Sequence, residues 1–308
     1  MKSFGFNQFG GPEVFESLTR PDPELKPTQY LVQTQAVGVN PYEQAMRKGE
    51  TQADRPQTFP IVPGSDVVGT IIAAGAEATE LSIGDRVVGR ASLHAYSDRV
   101  AIGRKAIAKL PSQISLEQAA ALPTPGITAY DLLSETAMTQ HDELTILGAA
   151  GVVGSILTQL AAPLFSAVTA VASDPQTIVS GPHINRFSYS DLLNNPAPQP
   201  LIINAVSGGR HQDVVRALMT ETGTVISLNS VATDLVHDFP KATFISFNDA
   251  AYKQKQRAFA ALIQAMEQGQ LTVPIAATFP LTLAGVKASH TLLAQHHKPG
   301  KIVLLATN

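Results

Sequence analysis

The chain has 308 residues, 44% of them hydrophobic and 15% charged, with a formal net charge of −3 and no cysteine. That length suits two domains with a sizeable buried core. The missing thiols exclude disulfides, thiolate zinc ligation, cysteine nucleophiles and cysteine-held iron–sulfur clusters. Without a basic excess to neutralise phosphates, nucleic acid is not an expected partner.

The N-terminal segment MKSFGFNQFGGPEVF lacks the apolar core of a signal peptide. The most apolar stretch, Ile61 to Ala76, is interrupted by Pro63, Gly64, Asp66, Gly69 and Gly75, so it cannot span a bilayer as one helix. A soluble cytoplasmic protein with no membrane partner is the expectation. Up to about residue 115 the chain reads as short strands: Tyr30–Thr34, Val67–Ala73 and Asp85–Gly89. Prolines 21, 23, 27, 56, 60 and 63 argue against long helices there, and a β-rich, barrel-like unit fits.

The pattern changes at Ser115, which can cap a helix starting at Leu116. Strands are expected at Leu144–Leu147, Ala167–Ala172, Leu201–Val206 and Gly223–Leu228. Helices are expected at Val153–Ala162, Val214–Met219 and Ala251–Met266. This alternation predicts an α/β architecture with a doubly wound parallel sheet. Lys301–Leu305 reads as a final strand belonging to the first unit.

Between the strand at 144–147 and its helix lies the turn Gly148-Ala149-Ala150-Gly151-Val152-Val153-Gly154. A helix N-terminus offers unpaired N–H groups and partial positive charge, and glycines allow a pyrophosphate to approach. A dinucleotide would rest on Ala149, Gly151, Val152, Val153 and Gly154; the alternative is an ordinary strand-to-helix turn. At the end of the next strand Ser173 takes the position of a ribose-recognising acid, with Asp174 one place further. Ser173 would tolerate the 2′-phosphate of NADP, no Lys or Arg follows within ten residues, and NAD stays open. Ser173-Asp174-Pro175 reads equally as a plain turn.

Six segments in order resemble the zinc-independent quinone oxidoreductases of the medium-chain dehydrogenase/reductase superfamily. They are Ala36-Val37-Gly38-Val39-Asn40-Pro41, Pro63-Gly64-Ser65-Asp66-Val67-Val68-Gly69, Ile83-Gly84-Asp85-Arg86-Val87, Ala119–Pro123 with Gly126–Tyr130, Gly148–Ser155 and Gly300–Leu304. The resemblance implies a GroES-like β-rich catalytic domain over 1–117 and 271–308, and a Rossmann dinucleotide-binding domain over 118–270. It implies hydride transfer from NADPH to a quinone or enone, a homodimer, and no metal. Ser65 stands where the zinc branch has a histidine ligand, and the eight histidines show no ligand spacing; His296 and His297 read as surface residues.

Asn40 and Tyr42 are the catalytic candidates, as donors to a substrate oxygen; Asn40 reads equally as a turn residue before Pro41, and Tyr42 as a packed aromatic. Glu43 would orient Asn40 or be a solvated surface charge. Thr128, Tyr189, Asn229 and Lys301 resemble or neighbour cofactor contacts; Thr128 could instead bond back along its helix, and Lys301 could simply be exposed. Four departures stand out: Val152 at a usual glycine, Ala45 at a frequent tyrosine, a short 175–185 segment, and Pro163 ending the first Rossmann helix. They keep open a catalytically silent NADP(H)-binding sensor or structural relative. No G-x-S-x-G elbow supports a hydrolase.

Overall fold

Alternating apolar side chains make the first third of the chain a set of strands, one face of each turned to a shared core. The computed structural model describes residues 1–136, 141–228, 231–247, 254–295 and 297–307. In chain order the elements are β1 (Lys2–Gly5), β2 (Glu16–Thr19), β3 (Gln29–Val39), α1 (Pro41–Lys48), β4 (Asp66–Ala74), β5 (Arg86–Arg90), β6 (Arg99–Gly103) and β7 (Ile107–Lys109). Then come α2 (Leu116–Ala120), α3 (Pro123–Thr136), β8 (Glu143–Leu147), α4 (Val152–Ala161), β9 (Ala167–Ala172), β10 (Ile184–Ser188), α5 (Tyr189–Asn194) and β11 (Gln199–Asn204). The chain continues with α6 (Gln212–Leu218), β12 (Met219–Ser227), α7 (Thr233–Asp238), β13 (Thr243–Ser246), α8 (Lys255–Glu267), β14 (Ile275–Pro280), α9 (Leu283–Ala294) and β15 (Lys301–Leu305).

These elements form two compact units, Met1–Thr124 with Lys255–Asn308, and Pro125–Gln254. In the first, one sheet runs β14-β15-β3-β4-β5-β7, with β6 also paired to β3. Strand β3 is long enough to serve two partners on one side: its first half pairs β6 and its last residues pair β15. Phe4, Phe6, Tyr30, Val67, Tyr96 and Ile302 belong to the core beneath it.

The second unit is the expected parallel sheet, ordered β10-β9-β8-β11-β12-β13, and every pairing in it is parallel. Numbered from β8, that is the 3-2-1-4-5-6 order of doubly wound dinucleotide folds. Leu147, Val171, Ile202 and Val225 share a cluster with Leu192, Val214, Val215 and Leu235 from α5, α6 and α7. Their strand neighbours Ile146, Ala170 and Ile203, also buried, point to the opposite face, where α4 packs on β8 and β9.

Several expectations shift. The units place 118–124 and 255–270 with the β-rich part rather than with the parallel sheet. Side-chain bonds explain this: the Gln118 amide donates to the Val273 carbonyl at 2.8 Å and accepts from the Val273 N–H at 2.9 Å, while α8 packs on β7. Strand β11 stops at Asn204 because the Asn204 side chain takes the Val206 N–H and turns the chain away. Met219 opens β12 instead of closing a helix. The helix expected from 251 begins at Lys255, residues 251–253 lying outside the described set. Edge strands β10 and β13 and helices α1 and α9 were not anticipated. No described helix is long and apolar enough to cross a membrane.

Candidate active site

Strand register assembles the first group of polar residues. Ile302 lies opposite Val39 and Gly38 lies opposite Asp66, so β15, β3 and β4 bring Lys301, Asn40 and Asp66 together from distant parts of the sequence. All three are buried. Lys301 Nζ donates to Asp66 Oδ2 at 3.0 Å and to Asn40 Oδ1. Asn40 Nδ2 donates to Asp66 Oδ2 at 3.0 Å and to Glu43 Oε1 at 3.3 Å. Asp66 Oδ1 accepts from the Thr124 N–H at 2.9 Å and from its hydroxyl. Gly38 makes the arrangement possible, since a Cβ there would lie 2.8 Å from Lys301 Cε and 2.2 Å from the Ala120 carbonyl. Lys301, which could have been a surface lysine, is a buried charge partner. Both amide hydrogens of Asn40 face carboxylates.

Glu43 is the functional group that sequence reasoning undervalued. It is 1% exposed rather than a solvated surface charge. Pro41 starts α1, and Glu43 at its third position reaches back so that Oε2 accepts the Asn40 N–H at 2.7 Å. The spacing Asn-x-x-Glu before a helix is half of a capping-box signature and was the available signal. Its Oε1 accepts from Ser65 Oγ at 3.0 Å. Burial, reinforced by the nearby Asp66 charge and only partly opposed by Lys301, pushes the Glu43 carboxyl up to about 7.

Glu43 and Ser65 line a pocket of about 290 Å³ with Tyr42, Arg55 and Arg90 among its other walls. The half-buried Tyr42 ring has the Arg55 guanidinium carbon 5.5 Å from its centroid. Tyr96, fully buried in the core, donates to or accepts from His290 Nε2 at 3.0 Å.

In the second unit the glycine turn sits at the C-terminal end of β8. Gly148 adopts φ +81, and the N–H groups of Gly148 and Ala149 both bond to the Val171 carbonyl of β9. Gly154 permits close helix-to-strand approach, because a Cβ there would lie 2.1 Å from the Gly148 carbonyl oxygen. Gly151, the N-cap of α4, is exposed and supplies no side-chain cap. A Cβ on Gly151 would meet only the Gly148 carbonyl, at 3.3 Å, so the approach to the helix end is open. An uncapped helix of ten residues behind a bare glycine fits a pyrophosphate. Val152 and Val153 are half-buried at its first turn.

Ser173 is exposed after β9, while Asp174 caps the following turn by accepting the Gln176 N–H at 2.9 Å. Residues 175–177 form a single 3-10 turn where a longer helix could stand. Tyr189 starts α5 beside the Gly148 backbone, and its ring stacks on His211 with centroids 3.8 Å apart and planes at 9°. Burial raises the Tyr189 phenol and lowers the His211 imidazole. His211 carried no sequence signal; it precedes α6 with a left-handed φ of 63. Thr128 is buried in α3. Asn229 and His296 lie outside the described residues. Among the described residues, no group of three or more His, Asp or Glu side chains is placed to hold a metal ion.

Comparison with known proteins sets these sites in a family. Residues 26–143 match the Alcohol dehydrogenase GroES-like domain, and residues 193–304 match the family described as Zinc-binding dehydrogenase. A 2-methylene-furan-3-one reductase from Solanum lycopersicum is 31% identical over 321 residues, 99% of this chain and 79% of that protein. An NADPH-dependent alkenal/one oxidoreductase, chloroplastic, from Arabidopsis thaliana is 25% identical over 321 residues, again 99% and 79%. The structure of the quinone oxidoreductase from Coxiella burnetii superposes with a TM-score of 0.85 at 25% identity, covering 100% of this chain and 99% of that one. Sequence order, sheet order and these relatives agree: the chain belongs to the quinone oxidoreductase-like branch of the medium-chain dehydrogenase/reductase superfamily.

Proposed function

We propose that this protein is an NADPH-dependent reductase that delivers hydride to a quinone or to the β-carbon of an enone. The carrying observation is the open, uncapped start of α4 behind Gly151, at the end of the strand where the sheet order reverses. Ala149, Gly151, Val152, Val153 and Gly154 would hold the pyrophosphate, with Tyr189 beside them. Ser173, being neutral and exposed, leaves room for a 2′-phosphate, and Asp174 is engaged in its own turn. Asn229 and Thr128 belong to the same proposed set; Lys301, in the first unit, is proposed to act through Asn40 and Asp66.

When bound, the nicotinamide supplies the hydride. The chain's own contribution is the pocket in the first unit, where Tyr42, Glu43 and Ser65 would offer polar contacts to an acceptor oxygen, while Asn40, its amide hydrogens taken by Asp66 and Glu43, would act by holding Glu43. The tomato 2-methylene-furan-3-one reductase and the Arabidopsis alkenal/one oxidoreductase support an enone acceptor, and the Coxiella quinone oxidoreductase a quinone. The proposal extends to a homodimer. Its test is oxidation of NADPH and NADH in the presence of naphthoquinones and simple enones. Turnover with NADPH preferred supports the reading; binding with no turnover on any acceptor overturns it.

A further inference from the structure

We propose that Ser65 and Glu43 form a proton relay into the pocket, Ser65 Oγ donating to the substrate oxygen and Glu43 restoring the proton to Ser65. This rests on the reductase reading above. Hydride arrival at an enone β-carbon leaves an enolate, and a proton on its oxygen gives the enol that tautomerises to the saturated ketone; a quinone leaves a phenolate, which a proton completes as the hydroquinone. A source for that proton stands in the pocket wall, where the Ser65 hydroxyl and the Glu43 carboxyl are 3.0 Å apart.

The two carboxyl groups of the site are not equivalent. Asp66 is held by Lys301, by Asn40 and by the Thr124 N–H and hydroxyl, so its oxygens are committed to protein donors. Glu43 Oε2 takes the Asn40 N–H, and Oε1 faces Ser65 and, more distantly, the Asn40 amide. With a proton on Oε1, Glu43 donates to Ser65 Oγ, and the serine hydrogen turns toward the pocket. The groups facing Glu43 are Asp66 on β4, Lys301 on β15 and Tyr96 in the core, with Arg55, Arg90 and Tyr42 across the pocket. Asp66 and burial oppose ionisation, Lys301 favours it, and the carboxyl sits at about 7. A group so placed can both hold and release a proton in neutral solution.

The step balances. An O–H bond forms at the substrate oxygen as the Ser65 O–H breaks; the Glu43 proton remakes the Ser65 O–H; Glu43 is left as a carboxylate and takes its next proton from water. The substrate is reduced by hydride from the dinucleotide, which is oxidised.

The test combines infrared spectroscopy of the cofactor-free protein with steady-state kinetics of the Ser65→Ala and Glu43→Gln variants. A protonated carboxyl band should vanish around pH 7, be missing in Glu43→Gln, and change frequency in Ser65→Ala. Ser65→Ala should lower kcat on an enone by on the order of 10²-fold, with NADPH affinity from fluorescence titration unchanged. Wild-type kcat should decline as pH rises through 7, and Glu43→Gln should lower kcat and abolish that decline. A circular dichroism spectrum matching wild type, in the far and near ultraviolet, shows that a variant is folded. Wild-type kcat in Ser65→Ala, an unaltered decline in Glu43→Gln, or no protonated carboxyl band assignable to Glu43 overturns the relay alone. Wild type that binds NADPH and reduces no acceptor overturns the reductase reading and the relay with it.

Discussion

At the scale of single residues, Glu43 makes the site costly to maintain as pH rises. Its carboxyl titrates at about 7 when folded, against an ordinary 4.5. Between those values the folded protein holds a proton that the unfolded chain releases. The stabilisation is therefore complete below the ordinary value and is lost as pH rises through 7. At about 1.4 kcal/mol per unit, the fully buried group should cost roughly 3 kcal/mol across that window. Glu43→Gln removes the titration while keeping the shape, so its urea midpoint should lose this component of the pH dependence and exceed wild type above pH 7. If the two proteins lose stability in parallel as pH rises, Glu43 does not carry the shifted proton. The Lys301–Asp66 pair nearby is a different case. Both members are buried, and removing either would leave the other an uncompensated charge, so the pair acts as a fixed brace for Asn40.

At the scale of elements, the glycine turn would tie helix position to the proposed dinucleotide binding. Gly154 lets α4 lie against the Gly148 carbonyl, and Gly154→Ala would insert a methyl 2.1 Å from that oxygen. The helix must then move off the strand, so both cofactor affinity and thermal stability should fall, the latter by about 1–3 kcal/mol as overpacking does. Fluorescence titration with NADPH and a melting curve check this; unchanged affinity would mean that the turn does not seat the dinucleotide. The turn, its strand β8 and the start of α4 were legible in the sequence because glycine spacing and apolar periodicity are local signals. Strand β9 was read to the residue for the same reason. Edge strands β10, INRFS, and β13, TFIS, escaped because their exposed faces leave no continuous apolar run, and pairing with β9 and β12 makes them strands. The Asn40–Asp66–Lys301 group was named residue by residue only in part, since its members meet through strand register between positions far apart in the chain.

At the scale of the whole molecule, the exchange of α8 between units is the sharpest difference between chain order and fold. Its buried side chains, Ala258, Phe259, Leu262 and Ile263, follow the expected helical spacing, yet that spacing cannot say which core receives them. Chain order suggested the parallel sheet, because the helix follows its last strand. Instead α8 packs on β7, and Gln113 at the end of that region bonds to Glu267 at the end of the helix, at 2.8 Å. Units with separate cores open with separate free energies, and amide exchange reports each one. Ile203→Ala, near the C-terminal end of β11, empties space in the sheet core and should weaken that unit by about 2–5 kcal/mol. Amides of β8, β9, β11 and β12 should then exchange faster by a common factor. Amides of α8 should keep the protection shared by β3, β4 and β5. If α8 instead accelerates with β11, its stability is set by the parallel sheet, and the second unit extends beyond Gln254 as its position in the sequence had suggested.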